Sequence, residues 1–248
     1  MPATRLFPAD WLDVGAYHDE YLGVLKTGKE SEVHLVARVG DARTVLLAAK
    51  RFKARDRRSF RDDYTYRGVW GEGTRRESRA MRRNTRYGHE AMHARWIAHE
   101  WATLVRLAAC AVTVPPPVEP TDDGYLMAFV GDGDRAAPRL SEVALDAPTA
   151  ARVWTDLERE LAAMLGADVV HGDLSAFNVL WWRERAVIID FSQAVDAITH
   201  PAARDLLVRD VDRLARHFRG LGVPVDTAET LRRVGDTPLR FARQLLSS

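Results

Sequence analysis

The chain has 248 residues and a formal net charge of +1, with 46% hydrophobic and 29% charged residues. This length and composition predict a folded protein of one domain or two small lobes and exclude an intrinsically disordered chain. Cys110 is the single cysteine, which excludes a disulfide framework and a cysteine-based zinc site and favours a reducing cytoplasm. Residues 1–8 lack the apolar core of a signal peptide, and no run reaches the roughly 18 apolar residues of a membrane span, so we expect no membrane partner.

Three strand patterns and a polar turn open the chain. Residues 21–25, 33–39 and 44–50 are short apolar-rich runs bounded by turn residues, which predicts strands. The turn at residues 26–32 holds one glycine among polar side chains. Exposed N–H groups at such a turn can cradle phosphates, although most polar hairpin turns bind nothing.

Lys50 ends the third predicted strand, where a lysine is usually solvated. Residues 89–107 predict a helix on which Trp96 and Leu104 belong to an apolar stripe. Glu100 lies on the same stripe, four residues from each of them. A carboxylate on an apolar face is costly unless it is paired, and we therefore expect Lys50 to be its partner. Glu90, near the helix start where an acid is favourable in any case, is the weaker candidate for the partner of Lys50.

A strongly basic insert separates Lys50 from that helix. Residues 51–86 hold twelve arginines and one lysine against five acids, a net charge of +8, so the rest of the chain carries −7. Tyr64, Tyr66 and Trp70 are interleaved with the arginines. Three interpretations stay open: a mobile solvated loop, a nucleic-acid contact surface, or a loop that folds over a bound nucleotide.

The middle and end of the chain predict one more strand and several helices. Residues 114–118 form a rigid proline-rich connection, and residues 125–130 predict a strand. Residues 148–165 predict an amphipathic helix with proline in its first turn. Another helix opens at His200, and one or two short helices follow a polar link at residues 220–226.

The stretch His171-Gly172-Asp173-Leu174-Ser175-Ala176-Phe177-Asn178, followed by Asp190-Phe191, carries the most specific pattern. It matches H-x-D-L-x-x-x-N followed by D-F, the catalytic loop and metal-binding aspartate of protein kinases. An ordinary loop in an α/β protein is the alternative, and a single short motif would favour it. Here the upstream lysine and polar turn accompany the motif, and Asp173 is expected to act as a base.

A hairpin is predicted between the two halves of this motif. Residues 179–182 and 187–189 predict its strands, around a polar turn at residues 183–185. Because a short hairpin brings its ends together, we expect Asn178 and Asp190 to lie side by side. An amide oxygen and a carboxylate form a hard oxygen site suited to Mg²⁺.

With these pieces in place, the chain resembles the RIO family of atypical protein kinases over roughly residues 20–220. The G-K-E-S turn and the sequence D-F-S-Q-A, in place of D-F-G, are the most specific signs. The matching residues are Gly28-Lys29-Glu30-Ser31-Glu32-Val33, Lys50, Glu100, Val114-Pro115-Pro116-Pro117, Leu126-Met127-Ala128-Phe129-Val130-Gly131, Ala137-Pro138-Arg139-Leu140, Val170 to Leu180, Ile188 to Val195, His200-Pro201 and Arg209-Asp210-Val211.

The resemblance implies an α+β fold with two lobes, similar to that of protein kinases. A small, mostly β N-lobe with one main helix would cover residues 1–130, with the flexible insert at about 51–88 and the helix at about 89–107. A mostly helical C-lobe would cover residues 131–248. With no winged-helix domain before the core, the chain looks closer to the branch of the family without one.

The resemblance also implies roles for individual residues. Asp173 would be the catalytic aspartate, Asn178 and Asp190 the metal ligands, and Lys50 the phosphate-binding lysine, oriented by Glu100. The implied cofactors are ATP and Mg²⁺ or Mn²⁺, with main-chain groups near residues 127–129 meeting the adenine edge. Nucleotide contacts are implied for Gly28, Lys29, Ser31, Lys50, Met127, Phe129, Leu180 and Ile189.

The function implied is that of a serine/threonine kinase and ATPase that transfers the γ-phosphoryl group of ATP, labels itself, and acts on RNA-associated or ribosomal partners. No A-P-E motif follows Asp190, so the usual platform for a peptide is missing and weak peptide phosphorylation is expected. One alternative is a small-molecule kinase of the aminoglycoside or choline kinase type, which shares H-G-D-x-x-x-x-N. Another is a nucleotide-gated RNA-binding module with vestigial catalysis.

Overall fold

The computed structural model describes residues 6–53 and 86–235, with side chains in the second range from residue 93 onward. The basic insert predicted at about 51–88 therefore lies almost entirely outside the described residues. The last stretch of the chain, residues 236–248, lies outside them as well.

An antiparallel five-stranded sheet forms the N-terminal part of the molecule, in the order β1-β2-β3-β5-β4. Strand β1 is much longer than its predicted core of residues 21–25. It lies at the edge of the sheet, and most of its side chains are exposed, so no alternation of apolar and polar residues marks its ends. The strands are β1 (Tyr17–Thr27), β2 (Ser31–Gly40), β3 (Thr44–Phe52), β4 (Pro117–Thr121) and β5 (Gly124–Ala128).

Strand β4 was missed by the sequence analysis, which predicted only a rigid connection at residues 114–118. Its sequence, Pro117-Val118-Glu119-Pro120-Thr121, has two prolines, which cannot donate a main-chain hydrogen bond. The strand occupies the other edge of the sheet, the position where prolines are tolerated. Compositional rules against proline in strands therefore failed at this sheet edge.

One long helix, α1 (Arg86–Ala109), accompanies the sheet and extends two to three residues beyond each predicted end. Its stripe of Trp96, Glu100, Leu104 and Leu107 is buried, as the helical spacing predicted. The stripe includes the charged Glu100, which is paired with Lys50.

The C-terminal part is mainly helical, which confirms the predicted α+β fold class. Helix α2 (Ala147–Gly166) begins after Asp146, whose side chain accepts a hydrogen bond from Thr149 N at 2.8 Å and caps the helix. The largest core cluster joins α1, α2 and α3 (Ala203–Gly220) to the loop that follows β8 (Val169–Val170). The remaining elements are β6 (Gly131–Asp132), β7 (Arg135–Ala136), a 3₁₀ turn (Leu140–Glu142), α2 (Ala147–Gly166), β8 (Val169–Val170), a 3₁₀ turn (Ala176–Asn178), β9 (Val179–Trp182), β10 (Arg185–Ile188), β11 (Val195–Asp196), α3 (Ala203–Gly220) and α4 (Thr227–Gly235).

The predicted hairpin forms with a tighter turn than expected. Strand β10 begins at Arg185, two residues before the predicted strand, so the turn consists of Arg183 and Glu184 alone. Both residues have positive φ, 49° and 57°, as a type I′ turn requires. Such turns are usually marked by Asn-Gly, and the absence of that signal explains the error.

A short segment before β1, residues 6–13, connects distant parts of the fold. The Phe7 ring lies 5.3 Å from the Trp182 ring at the end of β9. Trp11 packs against the cluster of Leu47, Ala49 and Leu126 on the sheet. The segment therefore bridges the sheet and the β9–β10 hairpin. Among the described helices, none is long and apolar enough to cross a membrane.

Candidate active site

A cavity of about 880 Å³ lies between the sheet and the helical part, large enough for a nucleotide. It collects predicted site residues from five separate stretches of the chain. Glu100 and Asn178 are not on its wall and lie directly behind residues that are. The predicted residues that line it are Gly28, Lys29, Ser31, Lys50, Met127, Phe129, Asp173, Leu180, Ile189 and Asp190.

Lys50 lies at the centre of a buried charge cluster. Its Nζ contacts the Glu100 carboxylate and donates to Asp190 Oδ1 at 2.9 Å. Tyr125, opposite Lys50 in the register of β3 and β5, donates its hydroxyl to Glu100 Oε1 at 3.1 Å. The sheet register and α1 thus bring together Lys50 and Glu100, 50 residues apart in the sequence.

The protonation of this cluster follows from burial and pairing. Burial would lower the pKa of Lys50, but the carboxylates of Glu100 and Asp190 hold it well above its ordinary value. Burial raises the pKa of the fully buried Glu100, and the Lys50 charge offsets part of that rise. For Asp190, the Lys50 charge outweighs burial and lowers the pKa. Lys50 therefore carries its positive charge into the cavity.

Asp173 and Asn178 contact each other within the catalytic loop. Asn178 Nδ2 donates to the main-chain oxygen of Asp173 at 2.9 Å and lies 3.4 Å from its Oδ2. The other carboxylate oxygen, Oδ1, accepts from Arg213 Nη1 at 2.5 Å. Both oxygens of the Asp173 carboxylate therefore face donors, and the 3₁₀ turn at Ala176–Asn178 sets the spacing of the loop.

Asp210 on α3 fixes the catalytic loop and was not assigned a role from the sequence. It is fully buried, and its carboxylate accepts from Gly172 N at 2.8 Å and from Leu174 N at 3.0 Å. Burial raises its pKa to about 7, against the lowering effect of these two hydrogen bonds. Gly172 has φ +77°, and a Cβ there would lie 2.2 Å from Gln193 O, so glycine is required at this position.

His171 ties the catalytic loop to the end of the hairpin. It is buried, its Nε2 donates to Ile189 O at 3.1 Å, and its ring lies 5.2 Å from that of Phe191. Burial lowers its pKa, so the neutral imidazole is favoured. Asp190, which directly follows Ile189, has φ +70°, an uncommon conformation for a residue other than glycine. Its carboxylate is thereby presented to the cavity from a constrained backbone.

Helix α1 anchors the residues that follow Asp190. Trp96 Nε1 donates to Ser192 O at 3.1 Å, and His99 Nε2 donates to Ala194 O at 2.8 Å. One helix therefore positions both Glu100 behind Lys50 and the segment that carries Asp190. Sequence spacing alone gave no sign of these two contacts.

The ends of the β9–β10 hairpin meet, since Ile189 N donates to Asn178 O at 3.0 Å. Asp190 Oδ1 accepts from Lys50 Nζ, and Asn178 Nδ2 donates to Asp173, which leaves the Asn178 amide oxygen outside these contacts. Within the described part of the chain, no group of three or more His, Cys, Asp or Glu side chains is placed to hold a metal. The donor set of one carboxylate and one amide oxygen suits a hard cation whose remaining ligands are phosphate or water oxygens.

The turn between β1 and β2 covers one side of the cavity. Gly28 N donates to Ser31 O at 2.8 Å and closes the turn. Lys53, which the sequence analysis did not single out, donates from Nζ to Gly28 O at 3.1 Å and pairs with Glu32 at 3.1 Å. The turn is thus held from the residue that follows β3, and its residues Gly28, Lys29 and Ser31 face the cavity.

The strand predicted to meet an adenine edge already uses two of its donors. Ala128 N donates to Pro116 O at 2.8 Å, and Phe129 N donates to Leu46 O at 3.2 Å. An adenine at this position would have to be met by carbonyl oxygens of the strand or by the amide of Val130, which also lines the cavity.

The sequence model of the RIO domain matches residues 39–231, and the chain belongs to the RIO family. The RIO-type serine/threonine-protein kinase Rio1 of Haloferax volcanii is 34% identical over 209 residues, which cover 84% of this chain and 66% of that protein. Human serine/threonine-protein kinase RIO1 is 28% identical over 235 residues, 93% of this chain and 38% of that protein. Serine/threonine-protein kinase RIO3 of Caenorhabditis elegans is 28% identical over 230 residues, which cover 89% of this chain and 41% of that protein.

These comparisons confirm the family predicted from the motifs. The chain spans about two thirds of the length of the archaeal relative and about two fifths of the length of the two animal relatives. The matched region contains every residue of the cavity cluster around Lys50 and Asp173.

Proposed function

We propose that this chain is an ATP-dependent phosphotransferase of the RIO type that transfers the γ-phosphoryl group to serine or threonine hydroxyls, its own included, and to water. One observation carries the proposal: Lys50, paired with Glu100 and Asp190, faces the same cavity as Asp173, which is held by Asn178. A buried cation opposite an oriented carboxylate suits phosphate binding on one side and an acceptor hydroxyl on the other.

Each residue then has a defined part in the reaction. Lys50 binds the phosphates, and Glu100 holds its ammonium in place. Asp173 orients the acceptor hydroxyl and takes its proton. Asn178 and Asp190 would hold Mg²⁺ or Mn²⁺, which neutralises phosphate charge when bound. The adenine contacts are assigned to Met127, Phe129, Leu180 and Ile189. The phosphate contacts of the turn are assigned to Gly28, Lys29 and Ser31.

The short segment after Asp190 supports self-labelling and ATP hydrolysis over peptide phosphorylation. Helix α3 begins at Ala203, and β11 between them pairs with β8, Val195 opposite Val170. Little chain is left over to form a platform for a docked peptide. Water and the protein's own hydroxyls are therefore the acceptors that reach the γ-phosphate most readily.

Incubation with γ-labelled ATP and Mg²⁺ tests the proposal, with label followed into protein, inorganic phosphate and added peptides. We expect slow self-labelling and ATP hydrolysis, both lost in Asp173→Asn. Asp156→Asn on α2, whose carboxylate pairs with Arg152 and Arg159 on the helix surface, is the matched control and should behave as wild type. Rapid turnover on generic peptides, or full activity in Asp173→Asn, would contradict this account.

The identity of the phosphate acceptor also distinguishes this function from the alternative, a small-molecule kinase of the aminoglycoside or choline kinase type. A panel of amino sugars and amino alcohols in the same assay discriminates between them. Transfer of label to one of these acceptors, at a rate well above hydrolysis, would favour the alternative.

We also propose that RNA or a ribosomal particle is a partner, acting through the basic insert, in the cytoplasm. The charge asymmetry carries this second proposal: +8 in residues 51–86 and −7 elsewhere, with aromatic residues interleaved. Electrostatic binding of this kind weakens steeply as salt rises, because counterions are released from the RNA.

Neutralising four arginines of the insert tests the partner proposal. Changing Arg75, Arg76, Arg82 and Arg83 to glutamine should weaken RNA binding and flatten its salt dependence, with ATP affinity nearly unchanged. RNA affinity unmoved by the four changes would leave the insert as a solvated loop. A control with the same loss of charge changes four exposed helix arginines elsewhere: Arg152, Arg159, Arg216 and Arg232.

A further inference from the structure

Arg213 is a cationic side chain in the cavity that the function above leaves without a part. It lies on α3 and donates from Nη1 to Asp173 Oδ1 at 2.5 Å. Its side chain is 35% exposed and lines the cavity. Among the described residues, Asp173 is its only hydrogen-bond and ion-pair partner, so the other N–H groups of its guanidinium are uncommitted.

The position of Arg213 relative to Asp173 is fixed by a single helix. One turn before it on α3, Asp210 accepts from the main chain on both sides of Asp173, at Gly172 and Leu174. Arg209 donates to Gly172 O from the same side of the helix. The catalytic loop and Arg213 are therefore anchored to the same element, and their separation does not depend on the sheet.

Lys50 provides positive charge from the opposite wall. Its ammonium is already shared between Glu100 and Asp190, and it reaches the cavity from β3. The wall around Asp173 carries a carboxylate, which repels a phosphoryl group that approaches it. A cation on that wall with donors to spare is what such a transfer needs.

We propose that Arg213 is a further catalytic residue, which keeps one N–H on Asp173 and binds the γ-phosphoryl oxygens of ATP with the others. This rests on the phosphotransferase function proposed above. A guanidinium is planar, stays charged, and binds phosphate through parallel hydrogen bonds. During transfer, negative charge spreads over the equatorial oxygens of the phosphoryl group, and a cation at that point stabilises it.

The chemistry balances without any new reactant. The bond between the γ-phosphorus and the bridging oxygen of ADP breaks, and a bond from that phosphorus to the acceptor oxygen forms. The acceptor's proton passes to the Asp173 carboxylate and on to solvent. Arg213 gains and loses no atom: its positive charge reduces the repulsion between the Asp173 carboxylate and the phosphoryl group.

A comparison of the affinities for two nucleotides, with and without a γ-phosphoryl group, distinguishes this role from simple support of the catalytic loop. We would measure the affinity for ADP and for an ATP analogue with a non-hydrolysable β–γ bridge, both with Mg²⁺, together with kcat and KM for ATP hydrolysis. Arg213→Ala should lower affinity for the analogue about tenfold and leave ADP affinity within about twofold, since only the analogue has a γ-phosphoryl group. It should lower kcat by about 100-fold or more, as loss of a transition-state cation does.

Two further variants separate the effect of charge from that of side-chain geometry and provide a control. Arg213→Lys keeps the charge but not the planar fork, so it should recover most of the analogue affinity and only part of kcat. Arg216→Ala, one turn further on the same helix and paired with Asp212, should match wild type in every measurement. If Arg213→Ala does not fold, the ratio of analogue to ADP affinity in Arg213→Lys and Arg213→Gln decides the question.

Equal losses of affinity for ADP and for the analogue in Arg213→Ala would overturn the proposal. Unchanged affinity for both nucleotides with a lowered kcat would overturn it as well, because Arg213 would then only position Asp173. A wild-type protein that binds the analogue but never turns over ATP refutes the proposed function instead. The analogue-to-ADP ratio can still be measured in that protein, so the two failures are distinguishable.

Discussion

At the scale of single residues, burial decides which charges must be paired. Glu100 is fully buried and Lys50 nearly so, and each is the other's main partner. Removing one partner from such a pair leaves an uncompensated charge in the core, which costs about 3–5 kcal/mol. The pair is therefore tied both to the proposed phosphate site and to the stability of the sheet–helix contact.

Lys50→Met should therefore lower the free energy of unfolding by about 3–5 kcal/mol. Adding Glu100→Gln removes the stranded charge, still offers an oxygen to Tyr125, and should recover most of that loss without recovering turnover. Urea denaturation and ATP hydrolysis measure the two quantities. Arg51→Met, on the next residue of β3, breaks an exposed 3.5 Å pair with Asp123 and should cost at most about 1 kcal/mol. A double variant no more stable than Lys50→Met would show that the charges are not coupled.

Asp210 gives a pH-dependence whose sign follows from its raised pKa. Its folded pKa of about 7 lies above the ordinary value of 3.8, so the folded state holds its proton more tightly than the unfolded state. Stability contributed by the neutral acid is present below the ordinary pKa and is lost as pH rises through this window. The slope is on the order of 1 kcal/mol per pH unit within the window and vanishes above it.

The difference in unfolding free energy between wild type and Asp210→Asn isolates this effect from other titrating groups. We expect wild type to lose stability relative to the variant from about pH 4 to about pH 7, and the difference to level off above pH 7. Urea denaturation at unit steps of pH measures it. A difference that stays constant across the range, or rises with pH, would contradict the raised pKa of Asp210.

At the scale of elements, much of the site could be predicted because its residues lie on strongly patterned segments. The motif from His171 to Asn178 identified the loop, and an acid on an apolar helix stripe identified Glu100. The same argument applied to α3 would have identified Asp210, which lies among Leu206, Val211 and Leu214 in the buried face. Arg213 could not be predicted, because an arginine beside an apolar face is ordinary and its target depends on where α3 crosses the loop.

The β9–β10 turn shows the same limit for the fold. Arg183 and Glu184 adopt positive φ without glycine or asparagine, so tertiary structure overrides local preference there. The Arg183 guanidinium lies 4.2 Å from the centre of the Trp182 ring, and Glu184 O accepts from Arg152 at 3.2 Å. These contacts help to hold a conformation that the two residues disfavour by themselves.

Glu184→Gly should therefore stabilise the protein by about 0.5–1 kcal/mol, because glycine adopts this φ without strain and the main-chain contact to Arg152 is kept. Glu184→Ala is the control and should give no gain, since alanine is strained in the same way. The midpoint of urea denaturation at unchanged slope is the measurement. Destabilisation by Glu184→Gly would mean that the side chain, and not the backbone, determines the turn.

At the scale of the whole molecule, the cavity joins the two parts of the chain. Lys50 and the Gly28–Ser31 turn belong to the sheet, whereas Asp173, Asp190 and Arg213 belong to the helical part. Residues 6–13 make a second connection between the sheet and the β9–β10 hairpin, through Trp11 on the sheet and Phe7 against Trp182. A ligand that contacts both walls of the cavity binds the folded state alone and must stabilise the molecule as a whole.

ATP should therefore raise the melting temperature, and the rise should depend on a divalent cation if Asn178 and Asp190 hold one. At a concentration near 100 times Kd, binding contributes about 2.7 kcal/mol, a shift of about 5–10 °C for a chain of this size. In chelator most of the shift should disappear, because phosphate charge then faces the carboxylates of Asp173 and Asp190 without compensation.

Asp190→Asn should fold, since an amide oxygen can still accept from Lys50, and should lose most of the ATP-induced shift in melting temperature with Mg²⁺ or Mn²⁺. Asp132→Asn, on an exposed carboxylate outside the cavity, should keep the full shift. A scan in which ATP stabilises wild type equally with metal and with chelator would refute the metal assignment while leaving nucleotide binding in place.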